Sequence, residues 1–71
     1  NARKVVFVHN HPTTSEDPSQ EDIETTKKLY IAFKYHNIKI VEHLIVNYMG
    51  RSFSFSNNGI LQGFEEYIKK I

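Results

Sequence analysis

The length and composition of this chain exclude several classes of protein before any motif is considered. Its 71 residues suffice for one small domain, which buries only about 60% of its unfolded surface and usually depends on metals or partners for stability. The absence of cysteine excludes disulfides and indicates a reducing, cytoplasmic compartment. The formal net charge of +1 and scattered basic residues argue against nucleic-acid binding, and no apolar run reaches the roughly 18 residues of a membrane span.

The first predicted element is a strand that ends in two histidines. The run Lys4–Val8 is apolar and mostly β-branched, which predicts a strand buried on both faces in the middle of a sheet. Because side chains alternate along a strand, His9 and His11 share the face of Phe7. Their Cα atoms should lie roughly 6–7 Å apart, so both imidazoles can converge on one ion. Pro12 is expected to end the strand.

A loop and a helix follow, and the helix begins with an acid that could complete a metal site. Residues 12–18 have loop composition, and a helix is predicted from Gln20 to about Tyr35 with Ser19 as its N-cap. Asp22 occupies the third helical position, which suits either a capping box or a rigidly placed ligand. Two imidazoles and one carboxylate form a zinc site with an open position for water. Taken singly, the histidines could be solvated and the Ser-x-x-Asp only a cap; together they favour a metal site.

The helix should turn an apolar stripe towards the core. The residues at helical spacing, flanked by Leu29, are Ile23, Thr26, Tyr30 and Phe33. We interpret Tyr30 and Phe33 as core residues rather than ligand-binding ones. His36 falls at the end of the helix, where a cation near the helix dipole is a better interpretation than a metal ligand.

A second strand is predicted over Ile38–Asn47, and it is apolar on both faces, as in a central strand. The residues expected to share one face are Ile40, Leu44 and Val46. Glu42 and His43 interrupt opposite faces, and a buried charge is costly unless it is paired. Either Glu42 projects from a partly open face, or one of the two orients a metal ligand.

The remaining elements are a short hairpin and a final helix. A turn around Gly50 leads to an edge strand at Ser52–Ser56, in which polar residues alternate with phenylalanine, and residues 57–59 break it. From Ile60 to the last residue the apolar positions follow helical spacing. This amphipathic helix packs on the core or docks on a partner chain. The predicted order is strand–loop–helix–strand–strand–helix, an α/β (α+β) fold.

Other protein classes with a His-x-His site fit this chain poorly. Metallo-β-lactamase-like sites require an aspartate where Thr13 stands, and amidohydrolase barrels require about 250 residues. Zincins carry His-Glu-x-x-His on a helix, and zinc deaminases carry Pro-Cys-x-x-Cys. Neither pattern occurs here.

The full motif is His-x-His, seven residues, Ser, two residues and Asp, and it resembles the JAMM (MPN+) metalloprotease signature. Within that group the chain resembles the RadC family over about residues 2–61. The matching segments are Val5–Pro12 with its His-Asn-His-Pro, Pro18–Thr26, Asn37–Val46 and Arg51–Phe55. The chain departs from the family pattern at Thr13-Thr14, where Ser-Gly is usual, and at Glu42, where Asp is usual.

The resemblance implies a cytidine deaminase-like JAB/MPN sheet with flanking helices and a zinc-dependent peptidase or isopeptidase activity. His9, His11 and Asp22 would be the ligands of one Zn²⁺. Ser19 would be a catalytic group that hydrogen-bonds the reacting carbonyl or the zinc-bound water. The family is historically labelled as DNA repair, but nothing in the composition supports binding to nucleic acid.

One part of the JAMM site is not found in the sequence. The reaction uses a glutamate from a strand upstream of the His-x-His strand, and residues 1–8 contain no acid. We therefore expect residues 1–71 to be a truncated domain that lacks an upstream strand pair and helix and is inactive alone. The alternative is a non-catalytic module, stabilised by metal or self-associating. Sheet edges that lack their neighbours favour a homo-oligomer.

Overall fold

The computed structural model describes residues 3–12 and 15–70 and has the mixed α+β architecture that the sequence predicts. Five elements follow one another in the predicted order: β1 (Arg3–His11), α1 (Gln20–Tyr35), β2 (Ile38–Asn47), β3 (Ser52–Ser54) and α2 (Ile60–Lys69). The prediction for Thr13-Thr14 and the last residue of the final helix lie outside the described residues. Within the described part of the chain, no helix is long and apolar enough to cross a membrane.

The three strands form one sheet in the order β1-β2-β3. β1 and β2 are parallel and joined through α1, whereas β2 and β3 are antiparallel. The predicted central position of β2 is confirmed. The predicted central position of β1 is wrong for the described residues, because β1 is an edge strand with Val6 and Val8 55% and 62% exposed. Its apolar run has helices over one face only.

An irregularity in the pairing of β1 with β2 decides which residues of β2 face the helices. Val5 pairs with Ile40 but the next residue, Val6, pairs with Glu42, so β2 contains one extra residue. Such a bulge breaks the alternation of side chains along a strand. Ile40 and His43 are consequently both buried. The expectation that Ile40 shares a face with Leu44 and Val46 is therefore wrong.

The core lies between the sheet and the two helices. It consists of six buried hydrophobic residues: Tyr30, Ile40, Ile45, Phe55, Leu61 and Phe64. The rings of Tyr30 and Phe64 lie 5.7 Å apart, and the Tyr30 hydroxyl donates to Glu65 over 2.8 Å. Burial, together with that carboxylate, raises the pKa of Tyr30 to about 12. The predictions of a buried Tyr30 and of a final helix that packs on the core are confirmed.

The chain after β2 is shaped by the carboxylate of Glu42. It accepts hydrogen bonds from the backbone N–H of His43 over 2.8 Å, the Ser54 hydroxyl over 2.6 Å and the Ser56 N–H over 3.0 Å. β3 is shorter than predicted, because the chain turns away after Ser54 and buries Phe55 completely. Glu42 is half-buried, and its hydrogen bonds pair it with the β3 turn and not with a metal ligand.

Candidate metal centre

The three predicted metal ligands meet where β1 ends and α1 begins. Each of His9, His11 and Asp22 offers one ligand atom, and these atoms all lie within 4.8 Å of one another. The strand supplies the two imidazoles and the first turn of the helix supplies the carboxylate. His9 is exposed, and His11 and Asp22 are half-buried. The cluster is therefore open to solvent on one side.

Asp22 is held by a complete capping box. Its backbone N–H donates to the Ser19 hydroxyl over 3.0 Å, and its Oδ2 accepts from the Ser19 N–H over 2.8 Å. The same Oδ2 lies 3.1 Å from His11 Nε2, and Oδ1 lies 3.6 Å from His9 Nδ1. The carboxylate thus serves both of the alternatives raised by the sequence, since it caps the helix and also faces the imidazoles.

The electrostatic environment of Asp22 keeps it ionised at neutral pH. Burial by itself raises the pKa of this carboxyl, but the backbone and hydroxyl hydrogen bonds of Ser19 act in the opposite direction. His11 and His9 lower it further, and the net result is a pKa below the ordinary value. A carboxylate must be deprotonated to bind a metal, so this environment suits a ligand.

His11 has the hydrogen-bonding arrangement that is usual for a metal-bound imidazole. Its Nδ1 lies 3.3 Å from the backbone carbonyl oxygen of Ser15, a distance at which the ring N–H can donate. The other nitrogen, Nε2, then points towards Asp22. A histidine whose far nitrogen donates to a backbone carbonyl has a fixed tautomer and a fixed ring orientation. The rings of His9 and His11 meet edge to face, with centroids 4.8 Å apart.

The fourth predicted site residue, Ser19, lies beside the cluster as the N-cap of α1. Its hydroxyl oxygen accepts the Asp22 N–H, which leaves the hydroxyl proton able to donate to another group. Its side chain is exposed. The structure thus places Ser19 in direct contact with one of the three candidate ligands, Asp22.

The composition and spacing of the cluster fit a zinc ion. Two imidazoles and one carboxylate form the N/N/O ligand set of catalytic zinc sites. Ligand atoms on a tetrahedral zinc lie roughly 3.3 Å apart when each bond is about 2.0–2.1 Å. The histidine–carboxylate separations of 3.1 and 3.6 Å are close to that value.

Two open depressions flank the cluster. One of about 420 Å³ lies between β1 and α1, and its lining includes His9, Asp22, Leu29 and His43. Another, of about 380 Å³, borders His11 and the end of β2. A third depression of about 210 Å³ lies at the opposite end of the sheet, near Lys39, and is remote from the histidines. The first two depressions both leave the cluster accessible from solvent.

Sequence reasoning missed the part that Thr26 plays near the cluster. It was predicted as a member of the apolar stripe and is indeed buried. Its hydroxyl lies within hydrogen-bonding distance of His43, which the sequence raised as a residue that could orient a ligand. The available signal was a polar residue at a core position of the helix, which requires a partner when buried.

Comparison with known proteins identifies the family of this chain. The family model described as RadC-like JAB domain matches residues 1–60, so the chain belongs to the RadC-like JAB family. The predicted resemblance to RadC is confirmed. No solved structure matches the chain significantly.

Several curated relatives carry the name UPF0758 protein. One from Chloroflexus aurantiacus strain J-10-fl is 42% identical over 65 residues, which cover 92% of this chain and 27% of the relative. Those from Trichlorobacter lovleyi and Geobacter sulfurreducens are each 42% identical over 60 residues, covering 84% of this chain and 26% of the relative. The chain therefore spans about a quarter of the length of the curated relatives it matches.

Proposed function

We propose that this chain is the zinc-binding part of a RadC-type metallohydrolase domain, with His9, His11 and Asp22 as the ligands of one Zn²⁺. The observation that carries the proposal is the convergence of these three ligand atoms within 4.8 Å. The negative charge of Asp22 supports it, because a carboxylate must be deprotonated to bind a metal. The contact of His11 with Ser15 also supports it, because a metal-bound imidazole usually donates its other N–H to such a carbonyl.

In this proposal the residues of the chain would bind the metal ion, orient the substrate and donate a hydrogen bond to it. His9, His11 and Asp22 would hold the ion, and a bound zinc would supply Lewis-acid activation of a water molecule and of a carbonyl oxygen. Ser19 would donate a hydrogen bond from its hydroxyl group to the carbonyl oxygen of a peptide or isopeptide substrate as negative charge develops on that oxygen. Hydrolysis also requires a group that accepts the proton of water.

The sequence supplies no obvious candidate for that proton acceptor at the position the resemblance implies. Residues 1–8 contain no Asp or Glu. We therefore propose that the segment binds zinc without hydrolysing a substrate by itself. Peptidase or isopeptidase activity would require a proton acceptor that residues 1–8 do not supply.

Zinc titration of the metal-free protein tests the ligand assignment. We expect one zinc per chain by calorimetry, with binding lost in His9→Ala. The matched control is His36→Ala, because His36 is an exposed histidine at the opposite end of α1. Failure of the wild-type chain to bind added zinc at neutral pH would contradict the proposal, as would equal losses in both variants.

A second candidate function, self-association without catalysis, is favoured by the exposed edge of β1. Among the described residues no strand pairs with the outer edge of β1, and Val6 and Val8 are largely exposed beside it. Unpaired edges with apolar side chains promote strand pairing between chains. An antiparallel pair of β1 strands would keep Arg3 and Lys4 of one copy away from those of the other.

The molar mass in solution tests this second candidate. Light scattering during size-exclusion chromatography should give twice the mass of one chain. Val8→Lys should shift the protein towards the monomer, whereas Glu66→Lys, an exposed change on α2, should not. A wild-type mass equal to one chain would contradict self-association and leave the zinc proposal intact.

A further inference from the structure

A buried pair of polar residues lies near the three candidate metal ligands and takes no part in the proposed zinc binding and hydrolysis. Thr26 of α1 is 1% exposed and His43 of β2 is 8% exposed. The Thr26 hydroxyl oxygen lies 2.9 Å from His43 Nδ1. Burying an imidazole and a hydroxyl costs free energy that an apolar pair would not, so the pair invites a functional explanation.

The direction of the hydrogen bonds connects this pair to the proposed ligand Asp22. The Thr26 hydroxyl donates to the backbone carbonyl of Asp22 over 2.8 Å. Because its proton is used there, its oxygen accepts from His43, which fixes the imidazole as the tautomer protonated on Nδ1. The first turn of α1 is thereby tied to the central strand through two consecutive hydrogen bonds.

The ring of His43 also lies against the second proposed ligand, His9. It stacks on Phe55 with centroids 4.4 Å apart and planes inclined by 19°. The centroid of the His9 ring lies 6.3 Å from that of His43, with the two planes inclined by 29°. The bulge at Val5/Val6 brings His43 to the buried side of β2, opposite Phe7 in the register. His43 of β2 therefore contacts Thr26, which is hydrogen-bonded to the backbone of Asp22 on α1, and it also lies near His9 on β1.

We infer that Thr26 and His43 are positioning residues, which hold the carboxylate of Asp22 at a set distance from the imidazole of His9. The inference rests on the proposed zinc site and adds the groups that maintain its geometry. The candidate ligands lie on two separate elements, β1 and α1, so they need a further connection to stay in register. The Thr26–His43 hydrogen bond supplies that connection through β2, the central strand.

A purely structural role for the pair makes a different prediction. If Thr26 and His43 only stabilise the core, removing their hydrogen bond lowers the free energy of unfolding and leaves the metal affinity of the folded protein unchanged. If they position ligands, the affinity falls and the geometry around the metal changes. Loss of groups that orient metal ligands typically costs about 10- to 100-fold in affinity.

The test compares Thr26→Val, Thr26→Ser and Thr25→Val. Valine keeps the shape of threonine without its hydroxyl, serine restores the hydroxyl, and Thr25 is an exposed neighbour on the same helix. We expect Thr26→Val to bind zinc about 10- to 100-fold more weakly and to alter the visible spectrum of bound Co²⁺. Thr26→Ser and Thr25→Val should resemble the wild type in both measurements.

A second pair of variants keeps the inference testable if Thr26→Val does not fold. In His43→Asn the side-chain amide can replace the Nδ1 donor, whereas His43→Leu cannot donate. We expect His43→Asn to retain more zinc affinity than His43→Leu. Wild-type affinity and an unchanged Co²⁺ spectrum in every folded variant would overturn the inference while the zinc site stands. No zinc binding by the wild type would instead refute the site and the inference together.

Discussion

The two ends of the polar network around β2 contain similar carboxylates with different partners. Asp22 at the start of α1 and Glu42 at the β2–β3 corner both have a pKa below the ordinary value, although burial alone would raise it. All three donors to Glu42 are backbone N–H groups or a hydroxyl, namely those of His43, Ser54 and Ser56. Asp22 has one such donor to its carboxylate and then faces two imidazoles.

This difference separates a structural acid from a candidate ligand. The donors around Glu42 cannot release their protons, so that carboxylate is committed to the turn. An imidazole nitrogen can donate a proton to a carboxylate or offer its lone pair to a metal. The imidazoles beside Asp22 can therefore stop hydrogen-bonding to the carboxylate and bind a cation together with it. The donors around Glu42 cannot do so.

The largest expected effect is on zinc affinity in Asp22→Asn. The amide oxygen can still accept from the Ser19 N–H, so the capping box largely survives, but the charged ligand is lost. We expect affinity to fall at least about 100-fold in isothermal titration calorimetry, in line with the loss of a charged ligand. Glu42→Gln should retain the wild-type affinity, and an equal loss in both variants would remove the distinction between the two acids.

The reverse pattern is expected for stability. Glu42→Gln replaces one acceptor oxygen with an NH₂ group, which leaves at least one of three donors unsatisfied and should cost about 1–3 kcal/mol. Urea unfolding in the presence of a chelator measures this cost. Glu66→Gln, on an exposed position of α2, is the control and should be neutral. Unfolding of Glu42→Gln at the wild-type urea concentration would show that the corner does not depend on the charge.

The smallest effect is the pH dependence of the metal-free protein. The ordinary pKa values of the two acids are 3.8 and 4.5, and both are lowered in the folded chain. A lowered folded pKa stabilises the protein above the unfolded value, and this stabilisation is lost as the pH falls through the folded value. Burial also lowers the pKa of His43 below its ordinary 6.5, so stability should begin to decline below about pH 6.5 and should decline further below about pH 5 as the two acids protonate.

Urea midpoints measured in chelator at successive pH values check this decline. Glu42→Gln should show a shallower decline than the wild type, because one of the two acids no longer titrates. A stability that rises on acidification would contradict the assigned direction of both pKa shifts.

Local patterns predicted most of the elements and all three candidate ligands. Ser19 and Asp22 form a capping box within four consecutive residues, so the helix start is readable without knowledge of the rest of the chain. The two histidines lie on one face because a strand alternates over two residues. Long-range packing was less accessible: Thr26 looked like a core residue, and its partner His43 lies on another element.

Two errors have the same origin in the pairing of strands. An apolar run is consistent with burial on both faces, but burial depends on which elements cover it, and Val6 and Val8 of β1 remain exposed. The bulge opposite Val5/Val6 leaves no mark in the alternation of β2 that a single sequence reveals. It nevertheless decides that His43 lies beneath the helix.

The sequence by itself determined the candidate ligand types, their spacing and the capped turn that carries Asp22, since these depend on backbone geometry over a few neighbouring residues. The RadC resemblance also follows from those local segments. Only the tertiary structure decided that Glu42 belongs to the β3 turn, that β1 is an edge strand among the described residues, and that Thr26 and His43 join α1 to β2. Each of these depends on partners distant in the chain, which are specified by packing and strand register rather than by local preference.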